Sequence, residues 1–124
     1  MKNLYKQLLL DHYHSSNYRG TLDNPHFASE THNPSCGDVV RIAGRIEDGK
    51  ISQIRFEGKG CVISQAAASL LCEQLTGRPA EYLLQLSPQT MTDLIGIELG
   101  PVRLKCALLA LDAAQEAIRN YTKE

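Results

Sequence analysis

The chain has 124 residues, 43% hydrophobic and 22% charged, with four cysteines and no tryptophan. That length suits one domain over residues 1–124, and the apolar fraction is well above that of disordered chains. Thirteen basic against fourteen acidic residues give a net charge of −1, without the basic excess of a nucleic-acid binder, and no apolar run approaches the ~18–20 residues of a membrane helix.

Lys2 to His14 reads as a first helix, with Leu4, Tyr5, Leu8, Leu9 and His12 on one stripe. Leu8-Leu9-Leu10 is followed at once by Asp11 and His12, so a signal peptide is not expected. The cytosol is then the default compartment, where disulfides are rare and thiols stay available for chemistry. Ser15-Ser16-Asn17 should stop the helix, because their side chains compete for backbone hydrogen bonds. Gly20, Asn24-Pro25 and Asn33-Pro34 punctuate the next stretch, leaving room for one short strand near His26–Ser29.

Apolar and polar residues alternate from Val39 to Ile46 and again from Ile51 to Glu57, on either side of Glu47-Asp48-Gly49-Lys50. That pattern predicts a β-hairpin, bounded by Gly58-Lys59-Gly60. Helical spacing then begins, with Val62, Ile63, Ala66, Ala67, Leu70, Leu71 and Leu75 ahead of Gly77. Pro79 suits the start of a short helix to about Leu86, and Ser87-Pro88 the start of another ended by Gly96. After Leu99-Gly100-Pro101, a last helix should open at Val102 or Arg103 and run to about Asn120. The order predicts an α+β fold, with about three antiparallel strands packed against helices.

Three cysteines share a local context. Cys36 sits in Pro34-Ser-Cys-Gly-Asp38, just before the hairpin. Cys61 follows Gly58-Lys59-Gly60 and starts a helix, and Cys106 follows Gly100-Pro101 in the opening turns of another. A helix start favours a thiolate, and thiolates bind metals and attack sulfur. Pairing about Asp48-Gly49 sets residue i against roughly 97 − i, which places Cys36 beside Cys61. Asp38 joins them if the chain between it and Cys36 is extended. Three sulfurs and a carboxylate at one corner would fit a tetrahedral divalent metal or an iron–sulfur cluster. Cys106 can join only if the last helix docks there. Cys72 shares a face with Cys61 but lies roughly 16 Å further along the axis, so it reads as a core residue. His12, His14, His26 and His32 lack zinc-motif spacing and read as solvated or core-satisfied.

At this point the chain resembles the U-type iron–sulfur cluster scaffold family: IscU, SufU and the N-terminal domain of NifU. The matching blocks are Asn33-Pro-Ser-Cys-Gly-Asp38, Gly58-Lys-Gly-Cys-Val-Ile-Ser-Gln-Ala-Ala-Ala-Ser69 and Pro101-Val-Arg-Leu-Lys-Cys-Ala107. Leu4-Tyr5 and Asp11-His12-Tyr13 also look like the family's start. The resemblance implies a non-enzymatic scaffold that builds a transient [2Fe–2S] cluster from iron and desulfurase-derived sulfur, then passes it to apo-proteins. It implies a PLP-dependent cysteine desulfurase, an iron donor and apo acceptors as partners. Cys36, Asp38, Cys61 and Cys106 would be the cluster ligands, or ligands of zinc or iron in the cluster-free form. Cys106 would be the persulfide acceptor. The alternative it implies is a zinc-dependent sulfurtransferase of the SufU type, with Cys61 or Cys106 accepting the sulfur.

Two departures from the family separate the branches. Lys105 stands where IscU has histidine, and Arg103-Leu-Lys-Cys-Ala107 looks like SufU. The compact Leu75–Gly100 stretch nevertheless lacks the insertion usual in SufU. Leu99-Gly-Pro-Val-Arg103 differs from the Leu-Pro-Pro-Val-Lys motif that a dedicated Hsp70-type chaperone reads, so that chaperone is not an expected partner. A desulfurase is expected to dock near the site, where by charge Lys59, Arg103 and Lys105 would guide it.

Overall fold

The computed structural model describes residues 2–34 and 37–122. Cys36, expected in the ligand set, lies outside the described residues. The elements run α1 (Lys2–His14), β1 (Phe27–Asn33), β2 (Asp38–Glu47), β3 (Lys50–Lys59), α2 (Val62–Leu75), α3 (Ala80–Gln85), α4 (Pro88–Ile95) and α5 (Pro101–Thr122).

The strands form one antiparallel sheet in the order β1-β2-β3. Val40, Ile42, Ile54 and Phe56 are fully buried on it, as the period-two pattern of a half-covered sheet requires. The hairpin departs from ideal register once, between Arg45 and Ile46. Arg45 pairs with Gln53 and Ile46 with Ile51, so Ser52 is the extra residue of a bulge, and its hydroxyl donates to the Arg45 carbonyl at 3.3 Å. This bulge explains why Ile51 and Ile54, three apart, are both buried. It also corrects the pairing rule: beyond the bulge Val39 opposes Lys59 and Ile42 opposes Phe56, one residue off the ideal register.

The first strand corrects the sequence reading most. It covers Phe27–Asn33 rather than a few residues near His26–Ser29. Its sequence, FASETHN, carries little apolar alternation because only its two ends, Phe27 and Asn33, are buried. Phe27 pairs with Gly44, and a Cβ on Gly44 would fall 2.2 Å from the Phe27 ring. The strand centre is held instead by α5, where the Thr31 hydroxyl donates to the Leu109 carbonyl at 2.8 Å. The outer edge of β3 is covered by two loop segments. Gly20 N–H bonds the Phe56 carbonyl and Phe56 N–H the Tyr18 carbonyl, while Ile51 N–H reaches the Arg78 carbonyl, each at 2.8 Å. Covered edges resist pairing with other chains.

The α2 helix is buried around most of its circumference, including Ser64 to Cys72 without a break. It is packed between α1 on one side and α5 and the sheet on the other. Ala66, Ala67 and Ala68 are small enough to permit that closeness. His12 of α1 is buried and hydrogen-bonded through Nδ1 to Ser69 Oγ at 2.8 Å, which ties α1 to α2. The α5 helix starts at Pro101 and extends to Thr122, slightly longer than expected at both ends. Its contacts with β1, β2 and α2 bring its first turns to the end of the sheet where β2 starts.

Candidate metal centre

Three elements supply the donors. Asp38 opens β2, Cys61 is the cap residue before α2, and Cys106 lies in the second turn of α5. An oxygen of Asp38 and the sulfurs of Cys61 and Cys106 all lie within 4.8 Å of one another. Tetrahedral zinc with ~2.3 Å bonds to sulfur needs donors ~3.8 Å apart. At most about 1 Å of contraction in the widest separation would therefore close this triad around an ion.

Asp38 is 3% exposed and Cys106 4% exposed, whereas Cys61 is open to solvent. The Cys61 thiol donates to Asp38 Oδ2 at 3.1 Å, and the Cys61 backbone N–H donates to Oδ1 at 3.3 Å. Burial pushes the Asp38 carboxyl up. Hydrogen bonds from the Cys61 and Cys106 thiols and the Cys61 N–H outweigh it and hold the group below the ordinary carboxylate value of 3.8. The carboxylate also lies at the positive end of α2, which stabilises negative charge there. Ser64 Oγ donates to the Cys61 carbonyl at 3.1 Å and accepts from Gln65 Nε2 at the same distance.

Gly60 makes this approach possible. Its φ is +142°, and a Cβ there would fall 2.3 Å from Asp38 Oδ1 and 2.4 Å from its Cγ. The glycine before Cys61 is thus a gap for the carboxylate as well as a turn. Gly37, between Cys36 and Asp38, has a φ of +75°. The chain is therefore not extended there, and the simple same-side argument for Cys36 and Asp38 does not apply.

The donors line an open cleft of about 410 Å³ together with Val62, Ile63, Val102 and Arg103. Of the three basic residues singled out in the sequence, Arg103 lines this cleft. Lys59 lines a neighbouring cavity with Tyr13, His14, Arg19 and Gln65. Lys105 lines a groove with His32, Asn33, Pro34 and Asp112. Cys72 is fully buried in α2, and burial raises its thiol far above the ordinary value of 9.0. The four histidines are absent from the donor group among the described residues. His12 bonds Ser69, His26 Nδ1 accepts the Ile46 N–H at 2.7 Å, and His32 meets Glu30 at 2.9 Å.

The apolar lining residues Val62, Ile63 and Val102 had no sequence signal as site residues, since each fits a helix pattern equally well. Asn33 was also missed. It is buried, and its Nδ2 donates to the Cys106 sulfur at 3.8 Å. Only the docking of α5 on β1 brings those two residues together.

A family model for the NifU-like N-terminal domain matches residues 4–124. The Thermotoga maritima iron–sulfur cluster assembly scaffold protein IscU is 33% identical over 138 aligned positions, covering 98% of this chain and 97% of that protein. The Bacillus subtilis zinc-dependent sulfurtransferase SufU is 29% identical over 136 positions, covering 95% and 91%. Both alignments exceed the 124 residues of this chain, so these relatives carry segments with no counterpart here. A crystal structure from Fervidobacterium islandicum, described as an iron–sulfur cluster assembly scaffold for the SUF system, superposes with a TM-score of 0.80 at 26% identity. It covers 90% of this chain and 94% of that one. The matched region runs through every element that carries a donor, and the chain belongs to the NifU-like N-terminal domain family.

Proposed function

We propose that this protein is an iron–sulfur cluster assembly scaffold. It would build a transient [2Fe–2S] cluster from iron and desulfurase-derived sulfur, and transfer it to apo-proteins. The observation that carries this reading is the meeting of Asp38, Cys61 and Cys106 within 4.8 Å in an open cleft. A carrier has to release as well as bind. Thiolates suit iron–sulfur chemistry, and one harder carboxylate oxygen among them weakens the hold. Openness on the Cys61 side gives a donor or an acceptor protein a route to the cargo. In this reading Cys36 completes the ligand set from the adjoining segment, and the protein is a carrier rather than an enzyme.

Cys106 is the proposed persulfide acceptor. Its thiolate would attack the outer sulfur of the desulfurase persulfide, leaving the desulfurase cysteine as thiolate and the transferred sulfur on Cys106. Arg103 lines the path to it. A PLP-dependent cysteine desulfurase, an iron donor and apo acceptors are the proposed partners, within one domain working in the cytoplasm. No helix among the described residues is long and apolar enough to cross a membrane.

A second reading, zinc-dependent sulfur transfer, is favoured by the SufU-like block Arg103-Leu-Lys-Cys-Ala107 and by the SufU relative. There the same donors hold zinc in the cluster-free protein, and Cys61 or Cys106 takes the sulfur. Anaerobic reconstitution with iron, cysteine and a desulfurase separates the two. A [2Fe–2S] visible spectrum that is lost on Cys36→Ser supports the scaffold. Tight zinc, persulfide on one cysteine and no cluster would support the transferase.

A further inference from the structure

Asn33 closes the last position of β1, where it pairs with Asp38. Its carbonyl accepts the Gly37 N–H at 2.8 Å, so its backbone shuts the turn from which Asp38 departs. Its side chain faces the opposite way in function, since Nδ2 reaches the Cys106 sulfur at 3.8 Å. One buried residue, 6% exposed, therefore touches two of the three elements that assemble the donors.

The approach is held by rigid neighbours. Thr31, two residues earlier on β1, bonds the Leu109 carbonyl of α5 at 2.8 Å. That contact fixes the helix against the strand within one turn of Cys106. A buried amide is costly unless its N–H groups find acceptors, and a thiolate sulfur is a better acceptor than a neutral thiol. The hydrogen bond thus gains strength when the sulfur becomes a ligand. An N–H aimed at a ligand sulfur also withdraws electron density from it, which is one of the ways a protein tunes a thiolate-held centre.

We propose that Asn33 is a positioning residue: its side-chain amide aims the Cys106 sulfur into the cleft and reduces that sulfur's donor strength. The proposal rests on the reading of Cys106 as a ligand. It gives the site two independent weakening devices, a carboxylate oxygen at Asp38 and a hydrogen-bonded sulfur at Cys106.

The test uses single metal ions on the whole chain. Cobalt(II) alone gives a thiolate-to-metal charge-transfer band in the near ultraviolet. In Asn33→Leu, of similar size but with no donor, that band moves to lower energy. Cadmium-113 loaded into the unaltered protein shows a through-hydrogen-bond coupling to an Asn33 side-chain amide proton, a measurement that needs no variant to fold. An unmoved cobalt band together with no such coupling overturns the proposal. Cys106→Ser keeps the two levels apart. If it leaves the cobalt band at full intensity, Cys106 is not a ligand and the underlying reading fails. If it diminishes the band while Asn33 shows no coupling and no shift, the role of Asn33 alone is refuted.

Discussion

Gly60→Ala perturbs the donor cluster without removing any donor. The new methyl would fall 2.3 Å from Asp38 Oδ1, 2.4 Å from Cγ and 2.9 Å from Cβ. Ordinary contacts begin near 3.4 Å, so the carboxylate has to retreat by about 1 Å, and the hydrogen bonds from Cys61 stand at only 3.1 and 3.3 Å. The backbone adds its own cost, because a φ of +142° is strained for any side chain by about 1–3 kcal/mol. For a chain of this length that is a fall of about 4–12 °C in melting temperature. Gly49→Ala is the control: its φ is +76°, and an added Cβ meets nothing within 4 Å. It should lose about 1 kcal/mol through strain alone and keep wild-type zinc affinity. Gly60→Ala should lose stability and also bind zinc at least about tenfold more weakly, the equivalent of 1.4 kcal/mol. Calorimetric melting and competition with a chelating dye measure the two quantities. If Gly60→Ala binds zinc as tightly as Gly49→Ala does, the close approach of Asp38 to residue 60 is not what builds the site.

Asp38→Ala should retain a reconstituted cluster several-fold longer than the unaltered protein; equal transfer rates to an apo-ferredoxin would refute the labilising role of the carboxylate. Cys72 supplies a pH dependence whose sign is fixed by its burial. The folded thiol is raised far above 9.0, so above that pH the unfolded chain loses a proton that the folded chain keeps. Stability contributed by this group is complete below pH 9 and falls as pH rises, by up to about 1.4 kcal/mol per unit. Urea midpoints should therefore decline more steeply in the unaltered protein than in Cys72→Ala, and parallel slopes would count against it. Gly44→Ala should destabilise by about 1–3 kcal/mol through overpacking against Phe27, with zinc affinity unchanged, as read from denaturation and dye competition.

Much of the fold was legible because its local signals agree with its packing. The Asp48-Gly49 turn with alternation on both sides, and the glycine after α4, each have a cause within a few residues. What was hidden depends on distant partners. The middle of β1 looks like loop sequence, since its stability comes from pairing with β2 and from the Thr31–Leu109 bond rather than from apolar alternation. The bulge at Ser52 leaves no mark in the sequence beyond a change of phase between Ile51 and Ile54. For the candidate site, hairpin arithmetic set Cys36, outside the described residues, beside Cys61, and it reached Asp38 only through an extended segment that the positive φ of Gly37 does not provide. Cys106 was placed only by resemblance, because its arrival depends on how α5 lies across β1 and α2. The amide of Asn33 and the carboxylate-sized gap at Gly60 are properties of that assembled corner, so neither residue alone announces them.

The donors stand on β2, α2 and α5, drawn from widely separated parts of one chain. A cargo bound to all three would act as a temporary cross-link, joining segments otherwise held only by packing. Loading and rigidity then become one quantity: filling the cleft stiffens the junction of sheet and helices, and emptying it relaxes that junction. A partner protein could tell the two forms apart by the stiffness of the surface it touches, without contacting the metal at all.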